Sequence, residues 1–196
     1  MSRLVRGFSL IEVLVGLLII SIGALGMVAL QARSLVLSQD SVQRNNAIML
    51  AGDLLELMRS NPDGALSDRL FSTSSKYYKA AGIDFASVAL DAADVSCAKL
   101  QRGAGGETVA GKDLTCWLQQ VQALLPVNAT LLKNNFAICP SQQPPQVGST
   151  APYNDTNACV TNNASMVMIV IAWQDASSND QGCHGGICFY TLRAEL

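Results

Sequence analysis

The sequence predicts an α+β fold, with one very long N-terminal helix packed on a C-terminal antiparallel sheet. Three observations predict it. From Gly7 to Ala32 the chain is almost wholly apolar, contains no proline and carries a single charge, Glu12. Beyond that run, Ile48, Ala51, Leu55 and Met58 recur at helical spacing until Asn61-Pro62-Asp63-Gly64 stops the pattern. Near the C-terminus, Met166–Trp173 and Ile187–Leu192 are apolar, β-prone runs separated by a polar turn region.

The first run, Gly7–Leu30, is long enough to cross a bilayer as a helix, which takes about 20 apolar residues. Arg3 and Arg6 precede it and hold the N-terminus in the cytoplasm. The run is too long for the apolar region of a secretory signal, and no A-x-A-like site follows it before Gln31. A lipoprotein signal needs a cysteine close behind, and the first cysteine is Cys97. Glu12 is the costly residue. An acidic side chain costs roughly 2.5–3.5 kcal/mol near a helix centre and less toward the interface. Either Glu12 is tolerated at the interface or it meets a positive partner in the membrane.

From Gln31 the helix becomes amphipathic. Leu50, Leu54 and Leu57 widen the apolar stripe, while Arg44, Asn45, Asp53, Glu56 and Arg59 take other faces. Pro62 cannot continue the hydrogen-bond ladder. A helix from about Phe8 to Ser60 measures about 80 Å at 1.5 Å per residue. Gly16, Gly23 and Gly26 weaken its first half. They either permit close helix contact and local unwinding, or reflect the general frequency of glycine in membrane helices.

Residues 65–112 are rich in Ala, Ser, Asp and Gly, with a short helix expected near Phe85–Ala93 and a loop at Gly103–Gly106. Asp113 or Thr115 is expected to cap a helix running to Leu125, with Trp117, Val121, Leu124 and Leu125 on one face and Pro126 as its stop. Ala129–Leu132 and Phe136–Cys139 read as strands, and Gln142–Asn157, with three prolines, as an exposed loop. Met166–Trp173 is apolar on both faces and so belongs at the centre of a sheet of about four strands.

Charge and cysteines bound the function. The net charge is −2, with 13 basic and 15 acidic residues, which argues against a nucleic-acid surface. Six cysteines, Cys97, Cys116, Cys139, Cys159, Cys183 and Cys188, all lie beyond the apolar run. Their even number after an export segment reads as disulfides in an oxidising compartment, and pairing in sequence order is the expected arrangement among 15 alternatives. His184 is the only histidine, and its Cys183–Cys188 setting fits a disulfide-closed turn and no standard zinc spacing. Asp175, Asn179 and Asp180 match an EF-hand loop poorly and read as solvated turn residues. Asn128-Ala129-Thr130 fits a glycosylation sequon and is read as a chance match. No nucleophile elbow, HExxH, Walker or dinucleotide pattern is present, so no enzyme, cofactor or metal site is expected.

Gly7-Phe8-Ser9-Leu10-Ile11-Glu12, behind a short basic leader, resembles the cleavage and methylation motif of type IV prepilins and type II secretion pseudopilins. The resemblance implies a type IV pilin-like fold in four parts. These are a leader at 1–7, a transmembrane and assembly half at 8–30, an amphipathic half at 31–61 and a periplasmic head at 62–196. It implies cleavage after Gly7 by a prepilin peptidase, N-methylation of Phe8, and Glu12 as an assembly contact. The amine of Phe8 and the Glu12 carboxylate offset each other's desolvation when paired in low dielectric, between subunits or within one. Over Gly7–Gly64, including A-G-D-L-L-E-L-M-R-S-N-P, the chain is similar to minor pilins of the PilV (type IV pilus modification protein) family. Ser9 and Ala29 depart from the threonine and helix-kinking proline common in major pilins. Membership implies a low-abundance subunit that helps initiate pilus assembly, supporting twitching motility and attachment. Its partners are then other minor pilins, the major pilin and a PilY-type tip adhesin. The location is the inner membrane, then the fibre near its tip. The alternatives are a type II secretion pseudopilin, a membrane-anchored periplasmic enzyme, or a DNA-binding competence pilin with a basic patch.

Overall fold

A computed structural model describes residues 9–85, 97, 100, 102–103, 105–146, 149, 151–155, 158–175 and 183–196. The chain divides into two compact units, Met1–Ser41 and Val42–Leu196. Helix α1, Leu10–Arg59, supplies the described part of the first and the opening element of the second. In the first unit the described large apolar side chains are exposed, Leu10 at 78% and Leu30 at 73%. By length and composition this segment is a candidate membrane span.

The second unit is built around one face of α1. Ala47, Leu50, Ala51, Leu54 and Met58 are fully buried there. Of the expected stripe, Ala51, Leu55 and Met58 are buried, but Ile48 is 45% exposed and Ala47, one position earlier, is buried in its stead. Helix α2 (Pro62–Ala65) follows, then a hairpin of β1 (Leu66–Ser67) and β2 (Leu70–Phe71). Its two turn residues, Asp68 and Arg69, both take positive φ, as a tight hairpin requires.

Helix α3 runs Gly106–Leu124, starting earlier than the expected cap. It buries Ala110, Leu114, Trp117 and Val121 at helical spacing, and Trp117 Nε1 donates to Leu50 O at 2.8 Å. Trp117 is a core residue, and burying a side chain of this kind is worth about 1.5–3 kcal/mol. Ala129–Leu132, expected as a strand, opens helix α4 (Ala129–Asn135). The cause is Asn128, whose side chain accepts from Leu131 N at 2.8 Å and caps the helix. The helix expected at Phe85–Ala93 falls mostly outside the described residues.

The main sheet has the order β3-β4-β6-β5, all antiparallel: β3 Ala137–Ser141, β4 Met166–Gln174, β5 Cys183–His184 and β6 Ile187–Glu195. β4 is central and buried from Val167 to Trp173, as its two-faced apolar pattern predicts. One sheet face, with Ile138, Val167, Ile169 and Ile171, joins the core made with α1 and α3. The other, with Ala137, Cys139, Met168 and Val170, is covered by Tyr153 and Ala158. The segment after β3 is therefore less exposed than expected. Pro152 is buried at the start of a 3-10 turn, and Asn135 Nδ2 holds Tyr153 Oη at 2.8 Å.

Candidate assembly segment and head anchor

Gly7 and Phe8, the expected cleavage and methylation residues, lie outside the described residues. Ser9 is described and starts α1: its carbonyl accepts from Glu12 N at 3.0 Å and Val13 N at 3.4 Å. Glu12 sits exposed in the first turn, where the unsatisfied N–H groups favour a negative charge. Gly16, Gly23 and Gly26 meet nothing within 4 Å of a notional Cβ, so the chain's own packing does not require them. From Leu10 to Leu30 the helix thus presents an apolar surface, with one carboxylate, Glu12, and three side-chain-free positions open to an outside helix.

All six cysteines pair in sequence order, Cys97–Cys116, Cys139–Cys159 and Cys183–Cys188. The second bridge joins β3 to the segment covering the sheet, and the third joins β5 to β6 directly across the hairpin. Asp175 lies near the third bridge, but its two sulfurs are bonded to each other and offer no thiolate to a metal. His184 is exposed on β5, and Asn179 and Asp180 fall outside the described residues.

The end of α1 is fastened by a polar network that sequence reasoning missed. Asp113, on α3, is completely buried. Arg102 Nε and Nη2 donate to its two oxygens at 2.9 and 2.8 Å, and Tyr77 Oη donates at 2.6 Å. The same Nη2 reaches Leu57 O, in the last turn of α1, and Ser60 Oγ, just past its end. Asn61 then locks α3 to the turn: its Oδ1 accepts from Gly106 N at 2.7 Å and its Nδ2 donates to Gly106 O at 2.9 Å. Burial, with the bond to Asp113, pushes the Tyr77 hydroxyl well above its ordinary pKa. The bond to Asp113 raises Arg102 further, keeping it charged. The signal available in the sequence was an aspartate at a core position, between Ala110 and Leu114 on the apolar face of α3. A cavity of about 450 Å³ beside the network is lined by Leu57, the Cys97–Cys116 bridge, Arg102, Asp113 and Trp117. Among these residues are one acid, already triply bonded, and no nucleophile–base pair.

Residues 2–28 match the prokaryotic N-terminal methylation motif, and residues 29–101 match the Tt1218-like family, described as type IV pilin Tt1218. The first half of the chain is that of a type IV pilin. The pilin fold follows, as a long N-terminal helix with a C-terminal antiparallel sheet. Both families are structural rather than enzymatic. The motif implies processing by prepilin peptidase, anchoring in a membrane through the apolar helix, and assembly of this pilin with others. No curated protein and no solved structure matched the chain.

Proposed function

We propose that this pilin is a minor subunit of the PilV kind, which helps initiate a type IV pilus and so supports twitching motility and attachment. Its leader, residues 1–7, is removed between Gly7 and Phe8, and Phe8 is N-methylated. Residues 8–30 anchor it in the inner membrane and then pack in the fibre, 31–61 carry the helix into the head, and 62–196 choose its neighbours. Those neighbours are other minor pilins, the major pilin and a PilY-type adhesin near the tip. The observation that carries the reading is the methylation motif running straight into an exposed apolar helix segment whose only charge before Arg33 is Glu12.

The proposed role of Glu12 follows from electrostatics. A free Phe8 amine and a carboxylate four residues later both lose water on entering lipid, and each offsets the other's cost. Pairing between subunits sets their register while the apolar surfaces supply contact area. Glu12→Ala is expected to leave leader removal intact and to reduce the amount of this subunit in sheared fibres. Fibres carrying the variant at the wild-type level would refute the register role. A strain lacking the protein is expected to show few surface fibres, and normal piliation would count against an initiating subunit.

A further inference from the structure

The Cys183–Cys188 bridge has a carboxylate for a neighbour. Its two cysteines stand opposite each other on β5 and β6, and Cys188 stands opposite Trp173 on β4. Residues paired across a sheet carry their side chains on one face, so both sulfurs lie on the face that Trp173 gives to the core. Asp175 follows Trp173 by two positions and returns to that face. Its N–H donates to Gly186 O at 3.0 Å, which ties it to the turn between β5 and β6. That turn is tight: Gly185 and Gly186 both take positive φ, 61° and 78°. Asp175 Oδ2 consequently stands 3.8 Å from Cys188 Sγ, and the carboxylate lies within 4.8 Å of both sulfurs. Bonded to each other, the sulfurs have no S–H to donate, so nothing but charge and contact acts between them and the acid.

A thiol reductant opens a disulfide from one sulfur. Its thiolate attacks that sulfur and a new S–S bond forms. The old bond breaks, and its electron pair leaves on the other sulfur as a thiolate, which then takes a proton. A second thiol of the reductant displaces the first, so the dithiol is oxidised to its own disulfide and two cysteine thiols are released. The two directions of attack are unequal in this bridge. Cys183 is half-buried and open to a thiol, while Cys188 is fully buried. Attack at Cys183 is the reachable route, and it places the leaving charge on Cys188, beside Asp175. Attack at Cys188 would place the charge on the more exposed sulfur, but the attacking thiolate cannot reach it through the core.

We propose that Asp175 is an electrostatic guard of the Cys183–Cys188 bridge: its carboxylate slows reduction by protein dithiols and small thiols, because it opposes the thiolate that has to form on Cys188. Two like charges about 4 Å apart oppose each other by a factor of roughly five in water and several hundred near a protein surface. The leaving sulfur carries only part of its charge in the transition state, so a slowing of about tenfold is expected. A guard matters more here than at the other bridges. This one closes a sequence separation of only 5, against 19 and 20, and a short loop contributes least to a disulfide's stability. Its resistance to reductants therefore draws on what surrounds the sulfurs. Among the described residues, neither of the other bridges has a carboxylate so placed. The guard keeps β5 tied to β6, and it belongs to the head whichever fibre the protein enters.

The test is reduction of the oxidised full-length chain in detergent by dithiothreitol without denaturant. Samples are stopped by alkylation, and each bridge is followed by peptide mass spectrometry. Asp175→Asn is expected to open Cys183–Cys188 about tenfold faster than wild type, while Cys97–Cys116 and Cys139–Cys159 open at unchanged rates. Asp175→Glu keeps the charge and should stay close to wild type. The proposal is overturned if Asp175→Asn opens the bridge at the wild-type rate. It is also overturned if Asp175→Glu opens it as fast as Asp175→Asn, since the side chain would then act through packing alone. Should Asp175→Asn misfold, seen as faster opening of all three bridges, the wild type decides. Cysteamine, a cationic thiol, should then reduce Cys183–Cys188 several-fold faster than the anionic mercaptoethanesulfonate, each scaled to its rate on the unfolded chain. Equal scaled rates would show that no negative charge acts at the bridge and would overturn the proposal.

Discussion

Replacing Arg102 with leucine is expected to loosen the head at the end of α1, by an amount the network geometry sets. The substitution strips two charge-assisted bonds from Asp113, which is fully buried, and two more from Leu57 O and Ser60 Oγ. Breaking a buried ion pair from one side costs about 3–5 kcal/mol. Arg102 keeps 34% of its side chain in solvent. Tyr77 still donates to Asp113. We therefore expect the lower end, about 2–3 kcal/mol. Asp113→Leu removes the buried charge itself and lets Arg102 turn to water, so it should cost less than Arg102→Leu. The double variant should be more stable than the sum of the two losses implies, with a coupling of about 1–2 kcal/mol. The assay is urea unfolding of the full chain in detergent, followed by tryptophan fluorescence. Both tryptophans, Trp117 and Trp173, lie in the head core, so the signal reports that unit. Losses that add to within about 0.5 kcal/mol would show that the residues act independently and refute the network argument.

Gly64→Ala should be among the most damaging single changes in the head. A Cβ there would stand 2.5 Å from Asn61 Nδ2 and 2.6 Å from Gly106 O, both of which are fixed by bonds to each other. We expect a loss above about 2 kcal/mol, and an unchanged melting temperature would contradict the packing described. Lys79 predicts a pH effect. Burial lowers its pKa to about 8, Asp84 opposing and Lys133 assisting, while its ammonium donates to the carbonyls of Ala80, Lys133 and Phe136. Below about 8 the buried charge carries its full cost, and from there to the unfolded value near 10.5 the folded state has released the proton first. Wild-type stability should thus rise relative to Lys79→Met across that window, by at most about 3 kcal/mol. A difference that stays flat from pH 7 to 10.5 would remove burial as the governing cause.

Much of the fold was legible because its main elements are patterned over many residues. The apolar run, the Pro62 stop and the two-faced strand Met166–Trp173 each survive an error of one or two positions. The places that misled are those where a single residue overrides the pattern. Asn128 turned an apparent strand into a capped helix. On α1 it was Ala47, and not Ile48 beside it, that completed the buried side with Ala51, Leu55 and Met58. The head's polar anchor was hidden because its members, Asn61, Tyr77, Arg102 and Asp113, come from four separated segments. Only Asp113, at a core position of a helix, breaks a local rule. Pairing of the cysteines in sequence order was expected, but the joining of β5 to β6 across the hairpin needed the strand register. The assembly segment is the reverse case. The proposed roles of Gly7, Phe8 and Glu12 rest on six adjacent residues, and on the chemistry of a leader and a modified terminus rather than on packing.

The central claim is that this pilin enters a fibre through a processed N-terminus, and mass spectrometry of the N-terminal peptide tests it most directly. Peptides should be taken from membranes and from sheared fibres of the same cells. The account predicts a mature chain beginning at N-methylated Phe8 in both fractions, with residues 1–7 gone. A mature chain still beginning at Met1, found in membranes and missing from fibres, would contradict it.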